Sequence, residues 1–172
     1  MRGRVIAGCL AAALAGCASE RFRLVEIEGE GFRRTGFLAG EREVVTALLP
    51  AGRIARAATL FRGELAVAER QDLAARDVTV LRVATSLGLP PRAAPPREGP
   101  GIVYLWRAGL PSRYPCACEA RDDGLWRVWV GGTHVGEDDR GAPVLQDGKV
   151  VGLLLRGLGW NCAVARTYGT GP

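Results

Sequence analysis

Short apolar runs broken by charged residues or glycine fill the chain, and helical spacing of apolar positions is nearly absent. Phe22-Arg-Leu-Val-Glu-Ile27 and Glu64-Leu-Ala-Val-Ala-Glu69 alternate with a period of two, as a strand with one buried face requires. Gly36–Ala39, Val44–Leu49, Arg53–Phe61 and Asp77–Val83 add four more, so residues 22–86 carry six expected strands. The alanines between Arg53 and Leu73 also suit a helix, but Gly63 interrupts that stretch. A mid-helix glycine costs about 1 kcal/mol against alanine, so the strand reading is preferred.

Residues 87–100 contain five prolines, Pro90, Pro91, Pro95, Pro96 and Pro100, and read as an extended connector. Beyond it, residues 101–172 hold six further runs: Ile102–Trp106, Tyr114–Ala120, Leu125–Val130, Val144–Gln146, Lys149–Leu155 and Cys162–Thr167. Asp147-Gly148 between two of them is a strong signal for a two-residue hairpin turn. Six strands, a stiff link and six strands predict an all-β chain of two six-stranded antiparallel β-barrels.

The amino end follows another pattern. Arg2 and Arg4 precede an apolar stretch, Val5–Ala15, that is shorter than the roughly 20 residues needed to span a bilayer. Residues 1–16 therefore read as an export signal. Leu14-Ala-Gly-Cys17 resembles the lipobox of bacterial lipoproteins. That resemblance implies cleavage before Cys17 and lipidation of its thiol and amine, with residues 17–21 as a tether. Ala18 stands where an aspartate tends to retain such proteins at the inner membrane. The expected location is thus the outer membrane of a Gram-negative cell, facing the periplasm. The later apolar run Val150–Leu155 has only the length of a strand.

Composition narrows the function classes. Apolar residues at 48% and charged residues at 24% exclude wholesale disorder. The net charge of +5 is scattered without a basic run, so nucleic-acid binding is not expected. Cys116 and Cys118 lie two apart and point to one side of a strand, which disfavours a bridge between them. In an oxidising compartment either Cys116 or Cys118 is expected to pair with Cys162. A zinc site of Cys116, Cys118, Cys162 and His134 is the weaker alternative; no metal or other cofactor is expected.

Three stretches, in order, resemble the trypsin-like serine proteases, particularly those of the bacterial envelope. Thr35-Gly-Phe-Leu-Ala-Gly40 with Val44-Val-Thr-Ala-Leu-Leu49 is similar to that family's glycine-phenylalanine strand and its "V-T-A-A-H" strand. Asp77-Val-Thr-Val-Leu-Arg-Val83 is similar to "D-L-A-V-L-x-V". Asp138-Asp-Arg-Gly-Ala-Pro-Val144, with the Asp147-Gly148 hairpin behind it, is similar to "G-D-S-G-G-P-V". The family's mechanism needs a serine, a histidine, an aspartate and an oxyanion hole. Position by position, the histidine becomes Leu49, the serine Arg140 and the oxyanion glycine Asp138, while Asp77 retains the aspartate.

The resemblance therefore implies a pseudoprotease, not an enzyme. The serines, Ser19, Ser86 and Ser112, lie outside any Gly-x-Ser-Gly turn, and the lone histidine, His134, falls in the second half. An Asp77–Arg140 ion pair is expected to close the former site, leaving His134, Arg140 and Asp77 as a candidate binding cleft. Trp126 and Trp129 point to opposite faces of one strand, so one of them is a candidate contact residue. The function expected is a peptide- or protein-binding or scaffolding module held on the membrane by its lipid. The alternatives are a structural or assembly lipoprotein and, less favoured, a hydrolase with unusual residues.

Overall fold

A computed structural model describes residues 24–60 and 62–168. The expected signal (1–16), Cys17 and the tether (17–21) lie outside the described residues, as do Phe22, Arg23 and Phe61. The first half has seven strands: β1 (Leu24–Gly29), β2 (Phe32–Gly40), β3 (Glu43–Ala47), β4 (Ile54–Thr59), β5 (Gly63–Glu64), β6 (Val67–Leu73) and β7 (Val78–Val83). All pairings are antiparallel, in the order β5-β4-β1-β2-β3-β7-β6. The sheet curls around Val25, Ile27, Leu38, Val44, Leu81 and Val83. Burying each such side chain contributes about 1.5–3 kcal/mol.

This sheet stays open, so the first half is a seven-stranded curl and not a closed six-stranded ring. The expected strand over residues 64–69 breaks at Leu65-Ala66 into β5 and β6. The short β5 pairs with β4 only through Ala58 and Thr59, and β6 forms the far edge of the sheet. Ala55 and Arg56 on β4 and Ala68 and Glu69 on β6 are exposed at this seam, which Arg70 of β6 crosses to the carbonyls of Leu49, Pro50 and Gly52. A groove of about 440 Å³ runs between the two strands, lined by residues that include Ile54, Arg56, Leu65, Val67 and Arg70.

The second half closes. Its strands are β8 (Gly99–Arg107), β9 (Leu110–Ala120), β10 (Trp126–Val130), β11 (Pro143–Gln146), β12 (Lys149–Gly157) and β13 (Cys162–Thr167). They form a barrel in the order β10-β13-β12-β11-β8-β9, packed inside with Val103, Leu105, Val128, Val130, Val144 and Leu154. The β11–β12 turn has φ of 49° at Asp147 and 70° at Gly148. Two consecutive left-handed residues are what a type I′ hairpin demands.

The proline-rich segment is strapped to this barrel. The Ala94 N–H donates to Val150 O at 3.0 Å, and the Val150 N–H to Arg92 O at 2.9 Å. Gln146 completes the strap: its Oε1 accepts the Arg97 N–H at 3.0 Å and its Nε2 donates to Arg97 O at 2.9 Å. Leu24, Phe37, Val45, Leu145, Leu153 and Leu155 form an apolar cluster that joins the two halves. Among the described residues, no helix is long and apolar enough to cross a membrane.

Candidate functional site

Residues 137–141 form the turn that carries Asp138 and Arg140. Glu137–Asp139 make one 3₁₀ turn, and Gly141 follows with φ of 88°, a conformation that penalises side chains. A Cβ on Gly141 would also collide with Thr35 O and Thr46 Oγ1 and lie 2.8 Å from Ala47 N. Only glycine lets the turn sit this close to β2 and β3. The contact is stitched by the Thr35 N–H donating to Arg140 O at 3.1 Å and by Thr46 Oγ1 donating to Thr35 O at 2.7 Å.

Asp139, 3% exposed, holds the turn in shape. Arg107 at the end of β8 grips it with two nitrogens, at 2.5 and 2.9 Å, and also donates to His134 O at 2.7 Å. The second carboxylate oxygen of Asp139 accepts the Gly136 N–H at 2.8 Å. The Asp139 fork raises the Arg107 pKa above the ordinary arginine value against the opposing effect of burial.

The chain brings the segments of Leu49, Asp77 and Arg140 together, but their side chains diverge. The Leu48 N–H donates to Asp77 O at 2.7 Å, and Gly141 abuts Ala47, so residues 47–49, 77 and 140–141 share one junction. The Leu49 side chain, however, belongs to the core of the first half. Its N–H is taken by Thr79 Oγ1 at 3.0 Å, and that hydroxyl donates to Asp72 at 2.6 Å. Asp77 adopts a left-handed backbone with φ of 51° and meets Arg166 at 3.6 Å. Arg140 meets Glu137 at 3.2 Å. The expected Asp77–Arg140 pair does not form, because each residue has a nearer partner of opposite charge.

Asp138 is exposed; its carbonyl accepts from Thr35 Oγ1 at 3.4 Å. His134 stands at the rim, edge-to-face with Trp160 at a centroid distance of 5.7 Å. Behind it the Val135 N–H is bound to Trp160 O at 2.9 Å, and a Cβ on Gly157 would lie 2.9 Å from Val135 O, so the two walls touch. His134, Arg140 and Asp77 thus have separate partners, Trp160, Glu137 and Arg166, and do not form one cluster. Trp129 is 39% exposed, with Arg127 6.0 Å above its ring.

The expected disulfide is also absent: Cys116, Cys118 and Cys162 are all free. Cys116 lies opposite Val130 and Cys118 opposite Val128, so both point into the barrel. Cys162 lies opposite Trp129, and directly paired residues share a face, so it is on the outer side of the wall. The Cys116 thiol is pushed up by its hydrogen bond with Cys118 and by burial, and the same bond lowers Cys118. The alternative zinc set fails on the same geometry. Among the described residues no group of three or more His, Cys, Asp or Glu side chains is placed to hold a metal ion.

Arg34, missed in the sequence, lies beside this turn. It is 7% exposed and donates through Nη1 to Arg33 O at 2.8 Å and through Nη2 to Glu137 Oε2 at 3.3 Å. Burial and the adjacent Arg140 lower its pKa. Two adjacent arginines in the stretch Phe32-Arg-Arg-Thr35 were the one available sign, since a strand must turn one of them inward.

No family model and no curated protein sequence matches the chain. Solved structures do. The Rv3671c protease from M. tuberculosis in its active form superposes with a TM-score of 0.72 and 17% identity, over 89% of this chain and 79% of that one. Human heparin binding protein gives 0.67 and 15%, over 89% and 95%. A scabies mite inactivated protease paralogue gives 0.67 and 11%, over 86% and 90%. At these identities the likeness shows the fold, which is that of the trypsin-like serine proteases.

Proposed function

We propose that this chain is a catalytically inactive trypsin-like module, lipid-anchored through Cys17 on the outer membrane and facing the periplasm, that binds an extended segment of a protein partner. The loss of catalysis is supported by the sequence resemblance, which sets Arg140 against the nucleophile and Leu49 against the imidazole, together with the ion pair that holds Arg140 and the burial of Leu49 in the first core. A guanidinium ion-paired with a carboxylate offers no nucleophile. A structural neighbour described as an inactivated protease paralogue is a precedent for such a chain on this fold.

The binding half of the proposal rests on the open seam. Residues of β4 and β6 line a groove of about 440 Å³ there, and β6 is an edge strand, which an added strand would pair with. Crosslinking in the native envelope should capture one or more protein partners, and Ala68→Trp, which fills the groove from an exposed position, should abolish capture. Cys17→Ser should abolish incorporation of labelled palmitate. A fluorophosphonate probe and a casein digest should give neither labelling nor cleavage. Turnover that disappears in Arg140→Ala or His134→Ala would overturn the reading.

A further inference from the structure

We propose that Arg34 and Arg140 form a two-guanidinium receptor for a carboxylate on a bound polypeptide, closed in the free protein by the side chain of Glu137. Both arginines reach the same oxygen, Glu137 Oε2, at 3.3 and 3.2 Å. Two cations thus share one acceptor atom, where a guanidinium ordinarily engages both oxygens of a carboxylate. The Nε atoms of both arginines are buried without a hydrogen-bond partner, and buried donors in folded proteins are nearly always satisfied. The site therefore has donors to spare.

Exposure identifies the movable part. The side chain of Arg34 is only 8% exposed and that of Arg140 27%, whereas that of Glu137 is 66% exposed. Glu137 can swing into water at little cost in packing and uncover the arginines. Arg34 is less free to withdraw: it is held by Arg33 O and lies 6.0 Å from the Phe32 ring centroid. Arg140 has its carbonyl bonded to the Thr35 N–H. Asp138 tempers the field at Arg34, but its influence there ranks below that of Glu137. The pair joins β2 of the first half to the 137–141 turn of the second, so an occupant would touch both halves. Neither the seam nor the lipid anchor takes part in this receptor.

The test is an NMR titration of arginine Nε–H resonances in the folded chain. Three N-acetylated peptides are compared: one ending in a free carboxylate, its C-terminal amide, and an amide carrying an internal glutamate. Arg34 and Arg140 should shift saturably with at least one carboxylate peptide and not with the uncharged amide. The tighter of the two binders distinguishes a chain terminus from an acidic side chain. Glu137→Gln should tighten binding about tenfold, equivalent to about 1.4 kcal/mol, and Arg140→Gln should weaken it about tenfold with the methyl spectrum unchanged. Equal response to the amide, no saturable shift, or a Kd unchanged in Glu137→Gln would overturn the proposal.

Discussion

Arg107 and Asp139, 32 residues apart, form a two-point fork that fastens the end of β8 to the turn carrying Arg140. The Asp139 side chain is 4% exposed, and Arg107 is the cation that faces it. Removing one member of a buried ion pair costs about 3–5 kcal/mol, because the other is left uncompensated. Arg107→Met should lower the urea midpoint by an amount corresponding to that range. The double variant Arg107→Met/Asp139→Leu should recover part of the loss.

Asp72 sets an acid limb. Its pKa is lowered from 3.8, first by the hydrogen bond from Arg70, with burial opposing and Thr79 reinforcing the shift. A carboxyl whose folded pKa is depressed adds stability above its unfolded value and loses it as pH falls through the folded value. Stability should therefore fall on acidification below about pH 4, where the unfolded chain takes up the proton first. Asp72→Asn should flatten that part of the curve, as followed by thermal melts between pH 2 and pH 5. Its side chain is 41% exposed, so the change should be modest.

Gly141 and Gly148 both have positive φ, 88° and 70°, yet alanine should act very differently at the two. At Gly148 nothing lies within 4 Å of a new Cβ, leaving only the left-handed backbone penalty of about 1–2 kcal/mol. At Gly141 the Cβ would enter the backbone of β2 and β3, and the loss should exceed about 4 kcal/mol. Denaturant titration of the two variants checks the order.

The free thiols give a direct reading of the barrel wall. Cys116 and Cys118 are buried inside it, and the pKa of Cys162 is raised first by burial. A covered thiol alkylates slowly, because the reagent cannot reach the sulfur. Maleimide followed by peptide mapping should leave all three nearly unmodified in the native chain and label all three after denaturation without reductant. Recovery of a Cys118–Cys162 or Cys116–Cys162 disulfide peptide would contradict the register of β9, β10 and β13.

The strand pattern was legible because each apolar run has a local periodicity and a local stop. Asp147-Gly148 could be placed as a hairpin because the φ values it needs are a property of two residues. The cysteine pairing was not legible: it depends on parity across two ladders, and a single step of register decides whether Cys162 faces in or out. The Asp77–Arg140 expectation failed for a related reason. Sequence order located both residues near the junction, but Arg166, which takes Asp77, lies on a separate strand, and Glu137, three residues before Arg140 on the same turn, takes the guanidinium first. The open seam likewise depends on how two edges approach in space, which no run of residues encodes.

β1 lies inside the first sheet, hydrogen-bonded to β2 on one side and to β4 on the other. The proposed anchor at Cys17 precedes it by only a few residues. Any tension between the membrane and a captured partner would therefore load this strand along its length, in shear, against two ladders whose bonds run across the strand direction. Such a grip yields all at once instead of peeling bond by bond, so the strand nearest the tether is also well placed to withstand a pull.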